Sequence, residues 1–286
     1  MILVVTGFIS ATSDDVPTTL GRGSSNYSAT ILSAALDADE VIIWTDVDGV
    51  LTADPRLVLR TRTIRETSYQ EAAELAFFAA KVLHPKTLRP VMQSGIPVWV
   101  RNTVAPSQAR TKITVEGSPQ RSRSKGSDCD KRRRPDYRQR RKLRMPNILD
   151  RLLATTTAAR VDVLLISESS SRINSHLAVL SEFADRTVAA LRREFAQEQS
   201  HKTMERIAIN PAVAIVTVVG LDLCGTAGIV EHTFDALDRV HVNIIAIMRG
   251  SSGCNFSFVV EQKDLQKALI NAHREFQPDV FPLETH

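Results

Sequence analysis

Long apolar runs are missing from this sequence, and no stretch approaches the roughly 20 residues that a membrane-spanning helix needs. We therefore expect no membrane partner. Cysteine is scarce, and the three residues present match neither a disulfide framework nor a zinc spacing, which favours a reducing, cytoplasmic location. The first residues, MILVVTG, contain no basic segment and no small-residue cleavage site, so we expect no signal peptide.

Excess positive charge is confined to one tract. The chain has 36 Lys and Arg against 32 Asp and Glu, but residues 121–144 alone hold 12 bases and three acids. Leu143 is the only aliphatic side chain in this tract, so we predict that the tract is disordered or poorly packed. Nucleic-acid binding through the tract is an alternative, but only Tyr137 could stack on bases, and we do not expect a nucleic-acid partner.

The first hundred residues alternate strand and helix patterns. Apolar, β-branched runs predict buried strands over 2–6, 41–44 and 97–101. Helical spacing predicts helices over 25–36, with Tyr27, Ile31, Leu32 and Ala35 on one face, and over 69–83. Strands that alternate with helices predict a mostly parallel sheet covered by helices, and thus an α/β fold.

The C-terminal half contains a duplication with an offset of 81 residues, in which 148–195 aligns without a gap on 229–276. The residue pattern of each copy predicts a helix, a strand, a Ser-rich turn, a second strand and a second helix. The second copy also has a leading strand over 214–219 and a Gly-rich turn over 220–228. The same offset places the first copy's leading strand in the basic tract, so we predict that the first copy is incomplete.

Two turns carry polar residues at positions suited to ligand binding. Gly21 and Gly23 flank Arg22 just before a helix, where backbone amides and a guanidinium could hold an anion or carboxylate, although plain capping is the simpler interpretation. Thr45 and Asp46 follow a buried strand, and ligands of open α/β sheets bind at the carboxyl ends of strands. The alternative there is an ordinary Asp-Gly turn.

Five segments, in order, resemble the C-terminal half of the aspartate kinase domain. They are VVTGFI, TTLGRGSSNYSA, IWTDVDGVLTADPR, EAAELAFFAAKVLHPKT and IPVWVRNT. The duplicated half resembles the paired regulatory ACT domains of the same family, and GLDLCGTAGI matches their Gly-rich effector loop. The resemblance covers residues 3–117 and 145–278.

The resemblance implies a partial amino-acid-kinase three-layer α/β/α sandwich followed by two ferredoxin-like ACT (α+β) units, the first incomplete. The predicted boundaries are 1–111 for the C-terminal half of the kinase domain, 112–147 for the basic tract, 148–204 for the first ACT domain and 205–286 for the second. A reading-frame excursion across about 119–145 would explain the composition of the tract.

The resemblance implies transfer of a phosphoryl group from Mg-ATP to the side-chain carboxylate of L-aspartate, the first step towards lysine, threonine and methionine. It assigns Arg22, Ser25 and Asn26 to the substrate, with Asn26 where an aspartate is common. It assigns the nucleotide to Thr45, Asp46, Leu51, Arg56 and Lys81, and implies no protein metal ligands. Effector-loop candidates are Gly225, Thr226, Ala227, Gly228, Asn243 and Asn255.

The chain also departs from the family pattern. No segment matches the phosphate loop with its catalytic lysine, so we expect a truncated kinase that is weak or inactive alone. Four expected glycines are replaced, by Ser10, Asp15, Ser24 and Ala79. The alternative is a regulatory subunit that binds lysine or threonine without catalysis. Pairing as a homodimer through the ACT domains, or with a full kinase chain, is expected in either case.

Overall fold

The computed structural model describes residues 2–21, 23–78, 83–117, 148–168, 175–201, 207–220, 223, 228–250 and 253–276. The chain divides into two compact units, one made of 1–128 with 215–286 and the other of 129–214. The basic tract, and the predictions of disorder and of an incomplete first ACT copy made for it, lie outside the described residues.

The first part of the larger unit contains three helices and six strands in the described segments. The elements are β1 (Ile9–Ala11), β2 (Pro17–Thr19), α1 (Ser24–Ala35), β3 (Val41–Thr45), β4 (Glu66–Ser68), α2 (Tyr69–Phe78), α3 (Pro85–Ser94), β5 (Val98–Asn102) and β6 (Thr111–Thr114). The strands predicted over 41–44 and 97–101 are therefore confirmed, and so are the helices that begin at 24 and 69.

One four-stranded sheet, with the order β3-β5-β6-β4, organises this part. β3 runs parallel to β5, and β4 runs parallel to β6, whereas β5 and β6 are antiparallel. The predicted mostly parallel sheet is thus a mixed sheet with one antiparallel pair. The face towards the core carries the alternating valines and isoleucines of the strands, and α2 and α3 cover it with the side chains of Tyr69, Ala72, Leu88 and Val91.

A capping box starts α2. Ser68 precedes the helix, and its hydroxyl accepts a hydrogen bond from the backbone N–H of Glu71 at 3.1 Å. The Glu71 carboxylate in turn accepts from the backbone N–H of Ser68 and from the hydroxyl of Thr67, both at 3.0 Å. All three residues are buried, so this reciprocal pattern satisfies polar groups that would otherwise be costly to remove from water.

The strand predicted over residues 2–6 is wrong. The structure gives these residues no regular element, and Ile2 and Val4 are 92% and 88% exposed. An apolar run becomes a strand only when a neighbouring strand shares its backbone hydrogen bonds. Among the described residues, no strand pairs with residues 2–6, and the first strand pair along the chain is the β1–β2 hairpin.

The predicted apolar face of α1 is also wrong in part. The structure buries Ser24 and Thr30, and leaves Ile31 and Leu32 40% and 37% exposed. The reason lies in the packing, because α1 lies against α3 and brings a narrow face of small and hydroxyl-bearing residues into contact.

The smaller unit contains most of the first ACT copy. Its described elements are α4 (Ile148–Ala158), β7 (Val163–Glu168), β8 (Ser175–Val179), α5 (Ala184–Glu194) and α6 (Ala196–Ser200). Leu152, Leu191 and Phe195 form its buried cluster. Above this cluster, the Arg151 guanidinium lies 4.4 Å from the centre of the Phe195 ring and pairs with Glu194 at 2.7 Å.

The second ACT copy has a three-stranded sheet with the order β10-β11-β9. Its elements are β9 (Val213–Val219), α7 (Ile229–Asp238), β10 (Ile244–Arg249), β11 (Asn255–Glu261) and α8 (Leu265–Glu275). Each copy has a β-bulge, between Val163 and Leu165 in the first and between Ile244 and Ala246 in the second, at the predicted offset of 81. The duplication is therefore confirmed. Among the described residues, no helix is both long and apolar enough to cross a membrane.

Candidate active site

The carboxyl ends of β3 and β5 meet at one edge of the sheet. Thr45 lies opposite Asn102 in the parallel register, and the backbone N–H of Thr103 donates to the carbonyl of Thr45 at 2.8 Å. The Thr45 hydroxyl donates to the Asp46 carboxylate at 3.1 Å. The two predicted nucleotide residues are therefore side by side, where ligands of α/β sheets bind.

Sequence reasoning missed Asn102 and Asp48 at this edge. The Asn102 side-chain amide donates to the Asp48 carboxylate at 2.7 Å, and its oxygen accepts from the backbone N–H of Val104 at 2.8 Å. The signal was present, because Asn102 directly follows the strand predicted over 97–101 and Asp48 follows the strand predicted over 41–44. Parallel neighbours bring such ends together.

The loop after β3 is held by the hydroxyl of Thr111. This hydroxyl accepts from the backbone N–H of Val50 at 2.8 Å and donates to the carbonyl of Ile64 at 2.6 Å. Gly49 approaches it so closely that a Cβ there would lie 2.5 Å from the Thr111 oxygen, and the φ of Gly49 is +119°. Only glycine fits this position without displacement.

Two residues predicted to bind the nucleotide, Leu51 and Arg56, make contacts within this loop. Leu51 forms an isolated β-bridge with Thr63. Asp54 accepts from the backbone N–H of Arg56 at 2.9 Å and from its guanidinium Nε at 3.0 Å. The hydrogen bonds and charge of Asp54 raise the pKa of Arg56. Arg56 is largely exposed, so binding of a phosphate would require only that this surface pair open.

The start of α1 lines a shallow cleft of about 250 Å³. Ser25 and Ser28 form one wall, and Thr6 and Gly7 form the other. Ser25 is exposed and Asn26 is partly exposed, so both are accessible to a ligand. Gly23 adopts a φ of +74° just before the helix and packs against His84 at the start of α3, which positions the helix terminus.

Several predicted site residues lie outside the described residues, namely Arg22, Lys81, Gly225, Thr226 and Ala227. Of the four predicted glycine replacements, Asp15 has a positive φ of 57°, whereas Ser10 lies in β1 and Ser24 in α1. Ala79 is not described. Backbone strain from these replacements is therefore located at Asp15 in the described part of the chain.

The described effector candidates fall at two ends of the second ACT copy. Asn255 begins β11, next to Gly220, whose backbone N–H donates to the carbonyl of Cys254 at 2.9 Å. Asn243 precedes β10, at the opposite end of the antiparallel β10–β11 pair. Gly228 caps α7 with a φ of +91°. Asn255 and Asn243 therefore do not form one site within this chain.

Three side-chain hydrogen bonds connect the second ACT copy to the kinase part of the same unit. The Asn255 amide donates to the Glu74 carboxylate at 2.5 Å, and Thr52 Oγ1 lies 2.9 Å from His273 Nε2. Gln266 donates to the carbonyl of Leu57 at 3.5 Å. Burial, and then the positive charge of Arg62, lower the pKa of His273. The loop after β3 and helix α2 are therefore in direct contact with the second copy.

Metal ligands do not cluster in the described part of the chain, which contains no group of three or more His, Cys, Asp or Glu side chains suited to an ion. At the sheet edge, Asp46 and Asp48 accept hydrogen bonds from neighbouring side chains and offer their remaining oxygens. This arrangement fits a cation that arrives with phosphates and takes one or two carboxylates, as Mg²⁺ does.

Comparison with known proteins agrees with this geometry. Residues 1–102 match the model of the amino acid kinase family, and residues 216–276 match an ACT domain model. The bifunctional aspartokinase/homoserine dehydrogenase 1 of Zea mays chloroplasts is 32% identical over 96% of this chain. The chain belongs to the aspartate kinase family. Its C-terminal kinase part and its two ACT units follow one another in the order expected for these enzymes.

Solved aspartate kinases share the fold. The Clostridium acetobutylicum enzyme superposes with a TM-score of 0.71 at 26% identity, over 94% of this chain and 62% of that one. Escherichia coli aspartokinase III in complex with aspartate and ADP gives a TM-score of 0.68 at 27% identity, over 94% and 59%. The chain spans 30% of the maize relative, so it represents only part of the proteins it matches.

Proposed function

We propose that this chain takes part in the ATP-dependent phosphorylation of the L-aspartate side-chain carboxylate, in lysine, threonine and methionine biosynthesis. The observation that supports the proposal is the position of Thr45, which bonds to Asp46 and lies opposite Asn102 at the carboxyl edge of β3 and β5. This edge would hold the nucleotide, together with Leu51, Arg56 and Lys81. The resemblance to an enzyme solved with aspartate and ADP supports the same assignment.

The substrate would lie at the start of α1. Arg22 would pair with a carboxylate of aspartate, Ser25 would donate a hydrogen bond to it, and Asn26 would orient it without adding charge. Mg²⁺ would enter with ATP and neutralise phosphate charge, which is its ordinary role in phosphoryl transfer. Positioning and charge neutralisation supply most of such catalysis, so these residues need only hold the reactants in line.

Alone, the 286-residue chain would be weak or inactive, because none of its segments matches the family's phosphate loop and lysine. A partner polypeptide or a further segment would supply them. We propose the boundaries 1–111, 112–147, 148–204 and 205–286 for the kinase part, the basic tract and the two ACT domains. The ACT domains would mediate a homodimer or assembly with a full kinase chain.

Binding of ADP tests the nucleotide site without requiring turnover. Calorimetric titration of the chain with Mg-ADP should show saturable binding, and Asp46→Asn should weaken it by about tenfold, because the variant would lose a carboxylate that contacts the Mg²⁺ bound to ADP. Asp39→Asn, an exposed aspartate before β3, is the matched control and should bind as the wild type does. Absence of binding, or equal losses in both variants, would contradict the proposed site.

A coupled assay for ADP release, with and without L-aspartate, tests autonomous turnover. We expect no aspartate-dependent rate above the blank for the isolated chain. A clear aspartate-dependent rate would confirm the reaction while showing that the chain is self-sufficient, contrary to our expectation.

A regulatory role without catalysis is the second candidate, and the three-stranded sheet formed by the described residues of the second ACT copy favours it. In that case, calorimetry should detect lysine or threonine binding while Mg-ADP gives no heat. Binding of neither amino acid at millimolar concentrations would remove the sensing function.

A further inference from the structure

The face of the four-stranded sheet that points away from its core carries aromatic and cationic side chains. Strand alternation places Trp44 of β3, Trp99 and Arg101 of β5, and Lys112 of β6 on this face, because their neighbours in sequence are buried in the core. The register sets Trp44 beside Arg101 and Trp99 beside Lys112. Trp44 is 49% exposed, so the face is open to a ligand.

Three cations gather around the Trp99 indole. The guanidinium carbon of Arg110 lies 4.8 Å from the ring centre, Lys112 Nζ lies at 5.3 Å and the guanidinium carbon of Arg101 at 5.4 Å. Arg101 also lies 5.9 Å from the Trp44 ring. In the described part of the chain, none of these three cations pairs with a carboxylate, so the indole rings are their only attractive side-chain partners there.

The same face contains unsatisfied hydrogen-bond donors. Trp99 Nε1 and Arg101 Nε are both buried, and neither finds an acceptor among the described residues. Indole and guanidinium nitrogens only donate hydrogen bonds, so the ligand that completes this face must supply acceptor atoms. The three positive charges without a carboxylate partner and the two donors without an acceptor therefore favour the same kind of ligand, an anion rich in oxygen atoms.

We propose that this face, defined by Trp44, Trp99, Arg101, Arg110 and Lys112, binds a multiply charged phosphorylated anion. Arginine guanidinium groups match phosphate oxygens in pairs, and the lysine adds a point charge. The site is distinct from the proposed nucleotide edge, because Thr45 follows Trp44 and its side chain leaves the strand on the opposite face. The proposal goes beyond aspartate phosphorylation and does not depend on it.

Tryptophan fluorescence reports on this face, because the two tryptophans of the chain, Trp44 and Trp99, both lie on it, and the Arg110 and Lys112 variants distinguish it from the neighbouring nucleotide edge. We would titrate the full chain with inorganic tripolyphosphate at constant, near-physiological ionic strength, without nucleotide or aspartate. A saturable change in emission is expected. Arg110→Gln and Lys112→Gln should each raise the apparent Kd by about tenfold, the loss of one charge-assisted contact.

Arg89→Gln is the matched control, because Arg89 is exposed on α3, away from this face. It should bind tripolyphosphate as the wild type does. A flat titration of the wild type, with an unchanged far-ultraviolet circular dichroism spectrum, would overturn the proposal. Equal weakening in all three variants would also overturn it, because that result indicates diffuse attraction to net charge. Tighter binding of poly-L-glutamate than of tripolyphosphate would reassign the face to an acidic polypeptide.

Discussion

The Asn255 side-chain amide donates a hydrogen bond of 2.5 Å to the Glu74 carboxylate, across 181 residues of sequence. Asn255 is 2% exposed and begins β11 beside Gly220, the first residue of the predicted effector loop. Glu74 lies on α2, the helix that leads towards Lys81. This contact therefore joins the start of β11 in the second ACT copy to α2 of the kinase part.

A double-mutant cycle should measure this contact. Asn255→Ala and Glu74→Ala should each lower the free energy of unfolding by about 1–3 kcal/mol, because each leaves a partly buried polar partner unsatisfied. The double variant should lose less than the sum of the two by about 1 kcal/mol or more, as measured by urea denaturation. Glu116→Ala, at an exposed position, should be near neutral. Strict additivity would show that the contact contributes nothing in solution.

The capping box of α2 makes a second prediction. Glu71→Ala should cost about 1–3 kcal/mol of unfolding free energy, because it leaves the hydroxyl of Thr67 and the backbone N–H of Ser68 without their acceptor. Glu71→Gln retains an acceptor oxygen and should cost less. Glu66→Ala, at an exposed position in β4, is the control, and a loss there as large as that of Glu71→Ala would refute the special role of the box.

His273 should make stability depend on pH. Burial and Arg62 lower its pKa in the folded protein, so the unfolded chain binds a proton more readily than the folded chain does. The stability that the neutral form of His273 contributes is complete above pH 6.5, the ordinary pKa of histidine. It is lost as pH falls below 6.5 towards the lower pKa of the folded protein. Urea denaturation should therefore show that His273→Gln flattens the fall in stability between pH 7.5 and about pH 5.

His176→Gln, at an exposed histidine of β8, serves as the control for the loss of a histidine side chain in this experiment. If His273→Gln retained the full pH dependence of the wild type, the effect would have to come from another group.

Gly49 and Gly21 provide a matched pair of glycines. Both have positive φ values, +119° and +86°, but a Cβ at Gly49 would lie 2.5 Å from Thr111 Oγ1, whereas nothing lies within 4 Å at Gly21. Gly21→Ala should cost about 1 kcal/mol from backbone strain alone. Gly49→Ala should cost about 2–4 kcal/mol, because the clash adds to the strain. Thermal denaturation would measure both losses of stability, and equal losses would show that the Thr111 side chain moves aside at little cost.

Local patterns were sufficient wherever an element depends on its own residues. Local patterns predicted the strands at 41–45 and 98–102, the start of α2 and the duplication. Alternation, capping and repetition can be recognised in the residue order alone. The capping box could have been predicted too, because Ser68 and Glu71 have the required spacing. The motif order was enough to assign the aspartate kinase family.

The tertiary structure decided what depends on a neighbour distant in sequence. Residues 2–6 have a strand composition but no pairing partner in the described chain, and the burial of Thr30 rather than Ile31 follows from packing against α3. The contacts of Glu74 with Asn255, and of Arg110 and Lys112 with Trp99, join segments whose proximity no local pattern predicts. Residue order alone was sufficient for the family and for those helices and strands that local patterns mark, because these depend on neighbours in sequence. Only the folded chain determined which side chains meet, because that depends on how the elements pack.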